Sequence, residues 1–566
     1  MITIENLSIE FGTGSSTVKA VNNVSLNLEK GKSLGLVGES GSGKSITALS
    51  IMQLLPPQAK ITDGRIHFAE SDLLKLKQSA MSDLRGNKIS MIFQEPMTSL
   101  NPVMRCGKQV SESIRQHQKI SAKDARFKVL QLFEKVKLPR TESIFRSYPH
   151  QISGGQKQRV MIAMAIANNP DLLIADEPTT ALDVTVQKEI IKLLNELREE
   201  YNMSLLFISH DLGVVAEVAD DVAVMYKGQI VEQGKKNDVF KNPKHSYTMG
   251  LMACRPAVAI RLERLPTIDE FIGADGVSRL KNNFNQIIVT DGERNKRLVK
   301  MYQSDPLIKV DNLEKKYAQK TSLFGKSKQV VRAVDKVSLQ VFRGETLGLV
   351  GESGCGKTTL GRSILRLIEP DSGQIYFEEI DLLAMNAKQL KLQRRHLNIV
   401  FQDPYSSLNP RLSIGHAIME PMTVYRLHGN SKNRKEKVFE LLEKVGLSPD
   451  HFYRYPHEFS GGQRQRIVIA RALALQPEFI ICDEAVSALD VSVQAKVLNL
   501  FNDLKKEFGF TYIFISHDLS VVRFMSDRIL VMKDGKIVES GDADEIYLHP
   551  KTAYTKQLIA SIPIQV

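Results

Sequence analysis

Hydrophobic positions along this chain follow two alternating rhythms. The opening stretch MITIENLSIEF alternates apolar and polar residues, the two-residue period of a half-buried strand. Further on, short apolar runs give way to helical patterns: SLGLV is followed by ITALSIMQLL, and LLIAD by VQKEIIKLLNELREE. Such alternation predicts an α/β architecture, a mainly parallel sheet flanked by helices. From about Met104 to Leu138 the pattern is helical throughout, and again from about Ile414 to Val445, so a helical subdomain is expected to interrupt each sheet. The longest apolar runs, around Met161 to Ala167, fall short of the roughly 18 residues a membrane-spanning helix needs.

The whole pattern occurs twice. GESGSGKS at Gly38 to Ser45 returns as GESGCGKT at Gly351 to Thr358, 313 residues later (351 − 38). SGGQKQR from Ser153 and SGGQRQR from Ser460 are offset by 307 (460 − 153), as are Asp176 and Asp483, and His210 and His517. Even the tails correspond, NPKHSYTMGLM from Asn242 with HPKTAYTKQLI from His549. The expected domains are residues 1–257 and 305–566. Residues 258–304 mix charge with Asn, Gly and Asp and carry little periodicity, which predicts a mostly exposed linker with one short helix.

Bulk composition adds boundaries. A chain of 566 residues exceeds a single core, and its 42% hydrophobic and 25% charged fractions are ordinary for soluble globular proteins. The N-terminus lacks a basic region followed by an apolar stretch, so a cytoplasmic location is expected. A net charge of +12 suits nucleic acid or anionic lipid, although a diffusely basic surface is the simpler account. The four cysteines, Cys106, Cys254, Cys355 and Cys482, lie far apart without CxxC spacing and read as structural thiols.

The candidate chemistry is that of phosphate. Residues 38–45 follow a strand and open a helix, the context in which GxxxxGK[ST] cradles a nucleotide. Gly38, Glu39, Ser40, Gly41, Ser42 and Gly43 form a loop whose backbone N–H groups converge on phosphate oxygens at a helix N-terminus. Lys44 adds a charge for the β- and γ-phosphates, and Ser45 a hydroxyl ligand for Mg²⁺. In the second copy Gly351, Glu352, Ser353, Gly354, Cys355 and Gly356 form the loop, with Lys357 and Thr358 in the same roles. ATP and Mg²⁺ are therefore the expected cofactors.

Behind each loop a buried-type strand ends in two carboxylates, Asp176 with Glu177 and Asp483 with Glu484. The first of each pair is expected to hold Mg²⁺ through water, and the second to polarise the attacking water as general base. Gln94 and Gln402 follow the strand-like ISMIF and LNIVF and precede turn-rich segments, a position for a ligand to Mg²⁺ or water on a mobile loop. His210 and His517 end the runs in LLFISHD and YIFISHD, where an imidazole is placed to contact the γ-phosphate.

Ser153, Gly154, Gly155 and Gln156, and again Ser460, Gly461, Gly462 and Gln463, precede long helices and offer a hydroxyl, backbone amides and a second helix N-terminus for phosphate. With these residues the chain resembles the ATP-binding cassette (ABC) family of P-loop NTPases, in which SGGQ is the signature motif. The resemblance covers everything but the linker. It implies two tandem ABC ATPase domains, each a mainly parallel sheet core with an antiparallel β part and a helical subdomain. It also implies that residues 38–45 pair with residues 460–463 around one ATP, and residues 351–358 with residues 153–156 around the other. Asp183 and Asp490, in TALD and SALD, match the loop linking the two sites. Phe11 and Tyr317 match the aromatic that stacks on adenine, positions that core aromatics would fill equally well.

The flanking segments EPMTSLNP, DPYSSLNP, YPHQISGGQ and YPHEFSGGQ, with the two YT-containing tails, resemble the oligopeptide/dipeptide importer subfamily in its fused form, shared by glutathione, dipeptide and microcin-type peptide importers. The implied partners are two transmembrane permease subunits and, through them, a solute-binding protein. The chain would be peripheral, on the cytoplasmic face of the inner membrane, with its two domains pairing within one molecule and no nucleic acid bound. The alternative, a soluble tandem cassette acting on ribosomes or nucleic acid, would carry a long basic helical insertion or zinc-cysteine clusters, and the sequence has neither. A structural module with dead sites conflicts with intact Lys44, Glu177, Lys357 and Glu484. Some members of the subfamily carry an iron–sulfur motif after the first tail. Here ACRPAVAIRLERLP holds only Cys254, one thiolate where a cluster needs about four. Dipeptide, oligopeptide, glutathione and nickel all stay open as solutes, because specificity belongs largely to receptor and permease.

Overall fold

The computed structural model describes residues 1–12, 17–94, 99–180, 182–256, 261–272, 288–320 and 328–562. They fall into two units, residues 1–252 with 268–272, and residues 253–267 with 288–562.

In the first unit the strands are β1 (Ile2–Gly12), β2 (Thr17–Leu28), β3 (Ser33–Val37), β4 (Ala59–Phe68), β5 (Ser71–Asp72), β6 (Ile89–Ile92), β7 (Leu172–Asp176), β8 (Ser204–Ser209), β9 (Asp221–Tyr226) and β10 (Gln229–Lys235). An antiparallel sheet runs β2-β1-β4-β5, and a second sheet runs β10-β9-β3-β8-β7-β6, parallel except for β10. The runs SLGLV, SLLFIS and LLIAD, in the successive strands β3, β8 and β7, are buried at every residue, as parallel strands covered on both faces must be. Alternation in β1 turns Ile2, Ile4, Leu7 and Ile9 into the core that the two sheets share with the helix Lys44–Ile51. Gly35 lets a helix lie directly on β3: a Cβ there would stand 2.2 Å from Val215 Cγ1.

Register sets the site. Asp176 pairs with Ile208, and Val37 with Ser209, so β7, β3 and β8 end together at one edge. The predicted helical insertion is the pair Cys106–His117 and Ala122–Lys135.

The second unit repeats this plan with β11 (Pro306–Lys320), β12 (Lys328–Phe342), β13 (Thr346–Val350), β14 (Ser372–Phe377), β15 (Ile380–Asp381), β16 (Leu397–Val400), β17 (Phe479–Asp483), β18 (Thr511–Ile515), β19 (Arg528–Lys533) and β20 (Lys536–Asp542). Its sheets run β12-β11-β14-β15 and β16-β17-β18-β13-β19-β20, and its inserted helices are Ile414–Val424 and Ser431–Lys444. Asp483 pairs with Ile515, as does Leu349.

The described part of residues 258–304 is mostly exposed, but it also makes buried contacts that its composition does not suggest. The described part contains the helix Asp291–Tyr302 and a bridge between Leu262 and Ile288, and much of it packs on the second unit. Leu265 is 1% exposed, and its backbone N–H and C=O both bond the Asn499 amide at 2.8 Å. Arg294 pairs with Asp542 at 2.6 Å and Asp544 at 3.4 Å, and Arg261 with Asp544 at 3.1 Å. Arg297 pairs with Asp527, which is 3% exposed and also accepts from Thr346 N–H at 2.9 Å and lies 3.3 Å from Lys505 Nζ. Local periodicity cannot reveal such pairings, because the carboxylates lie far along the chain: Asp527 just before β19, Asp542 at the end of β20 and Asp544 in the helix Ala543–Leu548.

Burial alone would push the Asp527 carboxyl up, but Lys505, Arg297 and the Thr346 amide overcome it and hold the pKa down to about 2. A depressed carboxylate stabilises the fold above its ordinary pKa of about 4 and loses that contribution as pH falls toward 2. Asp527→Ala should therefore lower the stability of the second unit by about 3 kcal/mol at pH 7, read as a drop in its melting temperature. The gap between variant and parent should close as pH is lowered through this window.

Candidate functional site

At the carboxyl edge of β3 the chain turns through the glycine loop. Gly41 and Gly43 have φ of 79° and 105°, a left-handed backbone that favours glycine, and Gly354 and Gly356 repeat it at 81° and 111°. A Cβ at Gly43 would also lie 2.6 Å from the Ala20 carbonyl of β2. Lys44, 4% exposed, folds over the loop and donates to the carbonyls of Gly38 and Glu39, each at 2.7 Å. Lys357 does the same at 2.7 and 2.9 Å. Cys355 stands where the first copy has Ser42, its Sγ 3.9 Å from Lys357 Nζ, and burial pushes its thiol up. All four cysteines are buried.

Ser45 Oγ donates to Asp176 Oδ1 at 3.0 Å, and Thr358 Oγ1 to Asp483 Oδ1 at 2.9 Å. Burial, aided by the neighbouring Glu177 charge, raises Asp176 to about 6 despite the Ser45 bond and Lys44. A hydroxyl beside a buried carboxylate is a hard oxygen set, which fits Mg²⁺ drawing its other ligands from phosphate and water.

The next carboxylate is arranged differently. Glu177 and Glu484 have φ of 47° and 49°, sparsely populated for a residue with a side chain, and each backbone N–H is tied to the adjacent strand, at Ile208 and Ile515. Glu177 Oε2 accepts from Gln94 Nε2 at 3.0 Å and Thr180 Oγ1 at 2.9 Å, and lies 3.2 Å from His210 Nδ1. Burial would raise Glu177, but the His210 bond and charge, with Thr180 and Lys44, hold it at about 2. Gln402 Nε2 reaches Glu484 Oε2 at 3.0 Å and His517 Nδ1 lies 3.5 Å away, and Glu484 too is lowered. The Gln and His residues expected beside metal and γ-phosphate thus converge on the expected base. Thr180 was not anticipated; in the second copy Ser487 bonds the Glu484 backbone carbonyl instead.

The SGGQ segments are helix caps. Ser153 Oγ accepts from Gln156 N–H at 3.3 Å while Gln156 Oε1 accepts from Ser153 N–H at 3.1 Å, opening the helix Gly154–Ala165. Ser460 and Gln463 repeat the box for Gly461–Leu473. A Cβ at Gly155 or Gly462 would press on Val186 or Val493, whereas Gly461 faces open space. Asp183 caps the helix Val184–Tyr201 through Val186 N–H at 2.9 Å. Tyr317 is 42% exposed and Phe11 half-buried, so neither is a core residue.

Fold and site together define a nucleotide-hydrolysing phosphate-loop protein with two sets of the required groups. The ABC transporter family matches residues 21–180 and 334–487, and the oligopeptide/dipeptide transporter C-terminal region matches residues 231–271 and 538–565. The glutathione import ATP-binding protein GsiA of Salmonella choleraesuis is 45% identical over 571 aligned residues, covering 100% of this chain and 90% of the relative. GsiA of Escherichia coli O157:H7 is 45% identical, and that of Pectobacterium atrosepticum 43%, with the same coverage. The chain belongs to the ATP-binding cassette family of transporter ATPases, in its tandem form with the oligopeptide/dipeptide C-terminal region. It is an ATPase, and its role is to energise import. Among the described residues no helix is long and apolar enough to cross a membrane.

That C-terminal region reaches the phosphate loop, a link whose only sequence trace is the matched YT in the two tails. Buried Tyr247 accepts from Glu39 N–H at 3.0 Å while stacking on Tyr226, and Tyr554 accepts from Glu352 N–H at the same distance. Replacing Tyr247 or Tyr554 with Phe leaves a loop amide without its acceptor, a loss of about 1 kcal/mol. Nucleotide affinity at the altered site should fall about fivefold, read by titration with a fluorescent ATP analogue.

Proposed function

We propose that each half binds and cleaves one ATP and that the chain drives uptake of glutathione or a similar short peptide. The carrying observation is the double assembly of Lys, hydroxyl, Asp, Glu, Gln and His at one sheet edge in a chain that is full-length similar to glutathione import proteins. Lys44 and Lys357 leave the loop carbonyls for the β- and γ-phosphates. Ser45 with Asp176, and Thr358 with Asp483, hold Mg²⁺, which supplies charge neutralisation as phosphate is transferred. Glu177 and Glu484 orient and deprotonate the attacking water once the donors crowding them withdraw; a carboxylate held near pKa 2 is a weak base until then. Gln94 and Gln402, at the starts of their loops, and His210 and His517 are the donors that move. Phe11 and Tyr317 stack on adenine.

Residues 153–156 and 460–463 each complete the nucleotide site of the opposite half, and the tether makes this pairing intramolecular. The partners are two permease subunits, which contact the segments after Gln94 and Gln402, and through them a solute-binding protein. The protein is peripheral to the inner membrane, on its cytoplasmic face, and binds no nucleic acid.

Membrane vesicles containing the chain with its two permease subunits test the reading. ATP should drive accumulation of labelled glutathione supplied with the binding protein, and Lys44→Ala or Lys357→Ala should cut the rate at least tenfold. Accumulation of nickel or longer oligopeptides, with glutathione untouched, would overturn the solute assignment.

A further inference from the structure

The two sites differ by a cation. The helix Lys357–Ile364 carries Arg362, whose guanidinium lies 3.6 Å from Asp483 Oδ2 and 5.7 Å from the centre of the Phe401 ring. Five residues after the phosphate-loop lysine, the first copy has Leu49. Asp483 therefore has one oxygen bonded by Thr358 and the other facing a positive charge, whereas the position that would bring such a charge to Asp176 is apolar.

The partly exposed Arg362 side chain lies against the segment that carries Gln402. Phe401 immediately precedes Gln402, and the segment that follows is fastened by two further arginines. Arg464 stacks on Tyr405 at 3.6 Å, and Arg471 donates to the Ser407 carbonyl at 2.8 Å while pairing with Glu420 at 3.0 Å. The corresponding residues of the first copy are Lys157 and Met164. The guanidinium thus lies between the Phe401 segment and the Asp483 carboxylate.

We propose that Arg362 is a positioning residue that makes the second nucleotide site bind its divalent cation more weakly than the first, by partly neutralising Asp483 and tying it to the segment that carries Gln402. This rests on the reading that Asp176 and Asp483 serve Mg²⁺. A fixed positive charge beside a ligand carboxylate opposes a second cation there, and the effect is local because exposed charges are screened within about 10 Å. The first site then fills at low free Mg²⁺ and the second only as Mg²⁺ rises, so the two ATP molecules are committed in order.

The test is a titration of the full chain, loaded with two equivalents of a non-hydrolysable ATP analogue, with Mn²⁺ followed by electron paramagnetic resonance. The parent should show two affinities differing roughly three- to tenfold. Arg362→Leu should merge them by strengthening the weaker one, Arg362→Lys should keep them apart, and Leu49→Arg should weaken the tighter one with Arg362 intact. A fold effect alone would not be rescued by Lys, nor appear in the opposite half. One shared affinity in the parent, or affinities unmoved by both Arg362→Leu and Leu49→Arg, overturns the inference while leaving the metal sites standing. Absence of nucleotide-dependent Mn²⁺ binding in every variant overturns the metal assignment itself.

Discussion

Each half depends on the register of three buried parallel strands. β3 ends into the glycine loop, β7 into the two carboxylates and β8 into the histidine. Pairing of Val37 with Ser209 and of Asp176 with Ile208 brings these ends level. A slip of one residue would turn every side chain of a strand to the opposite face and take the carboxylates away from the loop. Buried polar anchors at the strand starts oppose that slip: Ser33 Oγ donates to the Val218 carbonyl at 2.9 Å and Ser204 Oγ to the Glu29 carbonyl at 3.1 Å. The same pairing fixes the left-handed backbone of Glu177 and Glu484, whose N–H groups are anchored on Ile208 and Ile515, and the strain is borne at the residue that has most to do.

Much of this was legible in the sequence because it is local. SLGLV before a glycine loop, LLIAD before a glutamate, and the repetition of both specify strands, helices and candidate site without any tertiary knowledge. What escaped is non-local. Gln94 and His210 are expected from the sequence beside metal and γ-phosphate, but their convergence on one oxygen of Glu177 depends on strands 83 and 33 residues away in sequence (177 − 94 and 210 − 177). Arg261 and Asp544 are separated by 283 positions, so the linker reads as solvated although its arginines meet a partly buried acidic cluster. Tyr247 lies 208 residues from the loop amide it satisfies, and only the duplicated tail hinted that it mattered.

The clamp on Glu177 gives the site a direction. Three donors around one carboxylate oxygen favour its charged form, so the group is ready to order a water but weakly basic. Withdrawal of the glutamine or the histidine would raise its basicity, which, in the proposed role of Glu177, couples proton abstraction to movement of the segments those residues begin or end. In the second half Ser487 bonds the backbone instead of the side chain, while Lys357 Nζ lies 3.9 Å from Glu484 Oε1.

The central claim, that each half holds a complete hydrolytic set, is tested most directly by single-turnover cleavage of bound ATP in Glu177→Gln, Glu484→Gln and the double variant. Gln keeps the shape and removes the base, a change that typically slows proton transfer about 10²- to 10⁴-fold. Each single variant should cleave half of its bound ATP at close to the parent rate and the other half slowly, and the double variant should cleave all of it slowly. If Glu484→Gln leaves both halves of the bound ATP unchanged while Glu177→Gln abolishes all cleavage, the second half is not a working site and the account is contradicted.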